Sequence, residues 1–299
     1  MDNQVMKVDT NDYASMAKAM GMAMDTGSNK EKADALARVR INHSPIMGRS
    51  EVNGKMVNVE VVSGGTYKLD IPDGPTYYSN TATIRPYMQR FMHKRFIMKT
   101  SDTPNRYVKT IMADNLNIDL KDNDGGFNCG KPAGYIQDFK SLPEKMQDLL
   151  KQIKRVRVLF GTIELDNPVD ETGASVTIGA TPFIWEVENR DAFKTFGTNV
   201  FNKLGKMKRL PIQHNVKLST EERKLPNGNC FYLPTVSLDL TSTLDMDDLA
   251  QETFANFLAW ISNYNGYITN SWDENMHKKE DVDTATVDDF INIDAEDFA

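Results

Sequence analysis

The strongest constraint on this chain is a succession of short β-branched runs separated by turn dipeptides. Leu36–Ile41 reads as a first strand, Glu51–Val62 alternates valines after Asn53-Gly54, and Gly64-Gly65 turns the chain into Thr66–Ile71. Asn-Gly supplies the positive φ that a two-residue hairpin needs. Three short strands in a row predict a curled antiparallel sheet or a barrel. Further strands are expected at Thr83–Met98, Arg106–Ile111, Ile153–Leu165, Val176–Glu188, Gln213–Leu218 and Cys230–Leu240. Three helices interrupt them. Leu142–Ile153 has Pro143 in its first turn. Asn189–Leu204 has Asn189 as N-cap and Phe193, Phe196, Val200, Phe201 and Leu204 on one face. Asp245–Tyr264 carries acids in its first turn and turns Leu249, Phe254, Phe257, Leu258 and Ile261 inward. The pattern predicts an α+β fold.

The ends differ from the body. Asp12–Asp25 reads as a short Ala/Met helix in an N-terminal arm, residues 1–29, and residues 30–269 form the folded domain. From about Asn270 the periodicity fades into an acidic C-terminal segment, 270–299, too poor in apolar residues to offset ordering entropy. The net charge is −7, but eight of the 42 acids fall in Glu280–Ala299, which has no Lys or Arg, so the body carries about +1. A near-neutral body is free to hold a basic face. Within the tail, Asp288, Asp289 and Asp297 surround Phe290 and Phe298. An acidic peptide with apolar residues suits a partner's basic, apolar pocket, or competes for the chain's own groove; plain solubilisation is the simpler alternative.

Three windows are rich in Lys and Arg and free of acids: Arg85–Lys99, Lys151–Arg157 and Lys203–Lys217. As a strand, the first places Arg85, Tyr87, Gln89, Phe91, His93 and Arg95 on one face. Alternating rings and cations suit single-stranded nucleic acid, whose bases stack and whose phosphates need positive charge. A basic amphipathic helix is the competing reading of the same window. On the strand reading Arg85, Arg95, Arg155, Arg157, Lys206 and Lys208 meet phosphates, while Tyr87, Phe91, Trp185 and Tyr232 stack bases. Trp185, in Phe183-Ile184-Trp185, is equally at home in a core. The glycine-rich Gly125–Tyr135 adds Lys131 as a phosphate contact, or is a structural turn.

Catalytic signatures are absent: no phosphate loop, dinucleotide fingerprint, zinc-protease helix or nucleophile elbow occurs. Asp122-Asn-Asp-Gly125 fails as a calcium loop, since Lys131 would stand where the bidentate acid belongs. Asp245, Asp247 and Asp248 suggest a metal-dependent nuclease but fit helix capping. Cys129 and Cys230 have no ligand at finger-like spacing, so no cofactor is expected, the alternative being a zinc site that both share with His93 or His214. No apolar run approaches the roughly 20 residues of a membrane span, and the opening MDNQVMKVD is no secretory leader. These features predict a cytoplasmic, non-enzymatic protein.

A basic-aromatic body followed by Asp288–Phe298 resembles bacteriophage and bacterial single-stranded-DNA-binding proteins. Cys129–Tyr135 and Arg155–Gly161 bear a looser similarity to uncharacterised proteins from phage replication neighbourhoods. The resemblance implies an antiparallel OB-like β-barrel core decorated with helices and loops, ending in a disordered acidic tail. It also implies sequence-independent binding of single-stranded DNA, in the host cytoplasm if phage-encoded, with replication or recombination proteins recruited by the tail and homo-oligomerisation compatible. The chain departs from the pattern in ending on Ala299 and lacking the proline-containing terminal peptide of the bacterial proteins. The alternatives are a phage structural or assembly protein and a metal-dependent nuclease.

Overall fold

The computed structural model describes residues 33–280, apart from 53–54, 100–103, 133, 135 and 227. The expected N-terminal arm and the tail residues Asp288, Asp289, Phe290, Asp297 and Phe298 lie outside the described residues.

The strands are β1 (Ala37–Ile41), β2 (Ile46–Val52), β3 (Lys55–Val62), β4 (Tyr67–Asp70), β5 (Thr76–Ser79), β6 (Ala82–Ile97), β7 (Arg106–Lys109), β8 (Ile153–Leu165), β9 (Thr181–Val187), β10 (Val216–Lys224) and β11 (Cys230–Leu238). The helices are α1 (Glu144–Gln152), α2 (Arg190–Phe196), α3 (Asn202–Lys206) and α4 (Asp248–Glu280). The α+β expectation stands. One sheet runs β11-β10-β6-β8-β9-β1-β4-β5, with β7 pairing the end of β6, and β2–β3 forms a separate hairpin. The expected antiparallel barrel does not close: among the described residues no pairing joins β11 to β5, and β1 runs parallel to β9. No helix among the described residues is long and apolar enough to cross a membrane.

The long β6–β8 pair is the frame of the molecule. Its alternation feeds two cores. Val156, Val158 and Phe160 meet α4 through Phe257 and Ile261. Leu159, Ile163 and Leu165 meet Phe196, Val200 and Leu204 on the opposite face. Burying each large side chain of this kind contributes about 1.5–3 kcal/mol.

Pro86 interrupts this frame. It has no N–H for the ladder, and the register slips between Pro86 and Met88. Gly161 accepts the crossing, because a Cβ there would lie 2.3 Å from the Arg85 carbonyl oxygen. The extra residue flips the side chains: Ile84 lies in the first core, Met88 and Met92 in the second. The single face expected for Arg85 through Arg95 is therefore two faces.

Two further expectations shift. Asn189 caps α2, its carboxamide oxygen accepting the N–H groups of Asp191 (2.8 Å) and Ala192 (3.2 Å). The helical run then passes through a wide turn, Gly197–Phe201, into α3. Helix α4 continues past the expected boundary at Asn270 because its far half finds partners. The Trp272 indole donates to the Gly126 carbonyl (2.9 Å), and the Asn275 side chain donates to the Asn123 carbonyl (2.9 Å). On its near half, Phe257 and Ile261 are buried as expected, whereas Leu249 (71%) and Leu258 (42%) are exposed.

Candidate functional site

Beyond the Pro86 bulge, β6 turns Gln89, Phe91, His93 and Arg95 to the face that α2 covers. β8 lies beside it with Phe91 opposite Arg157, His93 opposite Arg155 and Arg95 opposite Ile153. Two of the three acid-free windows are thus hydrogen-bonded neighbours. The third, Lys203–Lys217, runs from α3 into β10, which pairs with the opposite end of β6 through Val216 and Ile84.

Where β6 and β8 approach α2 and the segment after Gly130, a cavity of about 620 Å³ opens. His93, Lys131, Arg155 and Arg190 supply its polar lining; Ile136, Phe139, Leu150 and Ile153 supply an apolar wall. No acid lines it. The side chains of Arg155 and Arg190 are exposed and form no hydrogen bond or ion pair among the described residues. The Lys131 ammonium donates to the carbonyls of Pro132 (3.1 Å) and Gly134 (2.9 Å) and meets no carboxylate among the described residues. Phe139 is 39% exposed.

His93 is only 1% exposed, and neither ring nitrogen has a hydrogen-bond partner. Leaving such a group unsatisfied costs about 1–3 kcal/mol. Burial, then the charges of Lys131 and Arg155, lower its pKa to about 4, so the ring is neutral near pH 7. Its backbone is firmly held: the His93 N–H donates to the Thr110 hydroxyl (3.0 Å), and the Thr110 N–H donates to the His93 carbonyl (3.1 Å).

Arg157 sits one strand-pair further along the same face, 6% exposed and without a carboxylate partner. Its guanidinium lies 4.4 Å from the Phe193 ring centroid, 5.0 Å from Phe91 and 5.7 Å from Phe201. It donates to the Phe193 carbonyl (3.2 Å) and to the Gln89 side-chain oxygen. Burial lowers its pKa to about 10, which still leaves it charged. Gly197 makes room for it, since a Cβ there would stand 2.6 Å from a guanidinium nitrogen.

Of the residues expected to bind, Lys131 and Arg155 line the cavity. Arg95 does not line it but pairs opposite the lining residue Ile153 and donates to the Gln152 side chain (3.3 Å), and Phe91 and Arg157 pair further along the same two strands. The others lie elsewhere. Arg85 donates to the carbonyls of Ile212 (2.7 Å) and Asp245, and Tyr87 is 7% exposed, edge-on to Phe257. Trp185 is 5% exposed, wedged edge-on between Tyr67 and Phe196. Both rings pack into the core, and Trp185 also lines a pocket with Lys154 and Tyr232, away from the His93 cavity. Tyr232 packs over Gly64 and Gly65 and hydrogen-bonds Glu222 (3.4 Å). Lys206 lines a separate surface hollow with Asn199, Asn202 and Lys203, and Lys208 follows α3 with φ 55°.

Sequence reasoning missed Arg190 and Phe139. Arg190 had a readable signal: a cation in the first helical turn opposes the helix dipole, a placement that calls for another reason. Phe139 had none. Asp122 explains the calcium-like loop differently. One carboxylate oxygen accepts the N–H groups of Asp124 (3.0 Å) and Gly126 (2.9 Å), the other that of Cys129 (3.0 Å), so the acid ties a turn. The Cys129 thiol is buried and its pKa pushed up by that burial, while Cys230 is exposed on β11. Among the described residues no three His, Cys, Asp or Glu side chains converge as a metal site. Comparison with protein-family models, with curated proteins and with solved structures gives no match, so the site stands on its geometry.

Proposed function

We propose that this protein binds single-stranded DNA with little sequence preference, through the α2-covered face of β6 and β8. One observation carries the reading: two acid-free windows, distant in sequence, lie side by side and bring His93 and Arg155 to a cavity that Lys131 and Arg190 also line and that presents Phe139. Cations without acids hold phosphates by releasing counterions, and an exposed ring offers a base a stacking partner. Neither role requires a closed barrel. On this reading the acidic tail contacts replication or recombination proteins and competes for the cavity when DNA is absent. No step of catalysis is assigned.

The test is binding of a fluorescent oligo-dT against a duplex of equal length, at low and high salt. Strong single-strand preference and a steep loss of affinity with salt are expected. A chain ending at Lys279 should bind more tightly than the full chain. Equal binding of duplex and single strand, or none by either chain at low salt, overturns the reading.

The β2–β3 hairpin favours a second reading, assembly through protein contacts. Met47 (54%), Met56 (64%) and Val57 (39%) are exposed on a two-stranded element, and isolated hairpins are marginally stable alone. Discrete oligomers in light scattering, with no salt-sensitive DNA binding, would support it.

A further inference from the structure

Among the described residues, the His93 imidazole stands out: both of its ring nitrogens are buried without a hydrogen-bond partner. It is buried and unpartnered on the cavity lining, among three cationic side chains and no acid. Buried polar groups in folded proteins are almost always hydrogen-bonded, and exceptions ask for a reason. A core histidine serving only to pack has no need of three cations around it. A polar atom deep in a cationic pocket suits an anion with several acceptor oxygens, which His93, Arg155, Arg190 and the Lys131 ammonium can approach together. The other lining residues, Ile136, Phe139, Leu150 and Ile153, carry no charge and suit a flat, apolar-faced group beside that anion. The volume of about 620 Å³ falls within the range of roughly 300–1,000 Å³ typical of small-ligand sites.

We infer that this cavity is a single-nucleotide pocket, in which His93, Lys131, Arg155 and Arg190 hold the phosphate and Phe139 with the aliphatic wall takes the base. The inference rests on the proposed single-strand binding for the origin of its ligand. The site itself does not, because a free nucleotide carries the same groups. A strand end and an internal nucleotide offer the same chemistry and differ only in whether the phosphate is a monoester or a diester.

The test is titration of the full chain with dTMP, thymidine and inorganic phosphate near neutral pH and at low salt, by calorimetry. The His93 ring nitrogens are followed in parallel by long-range proton–nitrogen NMR. dTMP should bind at least about tenfold more tightly than thymidine, about 1.4 kcal/mol of phosphate recognition, and should move the His93 resonances. Phosphate should bind more weakly than dTMP, since it leaves the apolar wall unused. His93→Phe, which keeps a ring but removes both nitrogens, and Arg190→Gln, at an exposed position, should each weaken dTMP at least fivefold. If His93→Phe does not fold, Arg190→Gln carries the comparison. Equal binding of dTMP and thymidine, or unmoved His93 resonances at saturating dTMP, overturns the pocket.

Oligo-dT with and without a 5′-phosphate, each competed against dTMP, separates the two sources. A tighter phosphorylated strand places a terminus in the pocket; equal strands that both displace dTMP place an internal nucleotide there. Oligo-dT binding that dTMP never competes with removes the pocket and leaves single-strand binding standing. dTMP binding without oligo-dT binding does the reverse.

Discussion

The two faces of the β6–β8 pair carry similar numbers of cations and treat them in opposite ways. On the α4 side, Lys94 is almost buried and meets Glu186 (2.8 Å) and Glu188, while Lys109 meets Glu186 (3.0 Å). Burial opposes the Lys94 charge, but the two carboxylates outweigh it and its pKa is raised. Burial would likewise raise Glu186, yet Lys109 and Lys94 hold it below the usual carboxylate range. On the α2 side, one residue away along the same strand, His93 faces Arg155 and Lys131 with no acid near, and its pKa falls. One face spends its cations on the fold. The other keeps them unpaired at a cavity, and a fold gains nothing from such an arrangement.

Lowering the pH should separate the faces most strongly. His93 has a lowered folded pKa, so the unfolded chain binds its proton first. The stability of the neutral ring is complete above about pH 6.5 and is lost as pH falls toward about 4, an effect of up to about 3 kcal/mol. Glu186, held below the usual carboxylate range by Lys109 and Lys94, keeps its charge to lower pH than an ordinary carboxylate. Denaturant titrations at pH 7 and 4.5 should show a larger loss in the native chain than in His93→Phe. This comparison cancels His43, whose pKa burial also lowers. Equal losses would remove His93 as the acid-sensitive element.

Glu186→Ala should cost about 2 kcal/mol of stability by stranding Lys109 and leaving the nearly buried Lys94 with Glu188 alone, and should leave oligo-dT affinity unchanged at temperatures where it stays folded. Loss of affinity in a folded variant would erase the distinction between the faces. Arg155→Glu should do the opposite, leaving the melting temperature within a degree or two while weakening oligo-dT about tenfold and flattening the salt slope. The smallest effect is expected for Phe139→Ala, about 1 kcal/mol of binding if one base stacks there, with no change in salt slope. An unchanged salt slope in Arg155→Glu, or a changed one in Phe139→Ala, would exchange the two roles.

Much of the frame was legible in the sequence. Strand period and turn chemistry are local, so the hairpin around residues 53–54, the pair β6–β8 and the N-cap Asn189 could be read from neighbours in the chain. β5 escaped notice because Thr76–Ser79 is too short to show a period. The far half of α4 escaped because its apolar residues are sparse, and its order comes from Trp272 and Asn275 meeting the loop at Asn123–Gly126. The cationic cavity was half legible: Lys131 and Arg155 lay in windows that the composition marked, and Arg190 did not.

What the sequence determined by itself was the local supply: alternating strands, acid-free basic windows, and an acidic end that masks a near-neutral body. The tertiary structure decided which of those charges remain free. Lys94 sits in the same acid-free window as His93, yet its carboxylates arrive from β9, some 92 residues along the chain. Pro86 forces a bulge that turns Arg85 and Tyr87 away from Phe91 and Arg95, and no window average registers a one-residue slip. Coulomb interactions act through space and side-chain direction alternates with every residue. The count of charges therefore belongs to the sequence, and their pairing belongs to the fold.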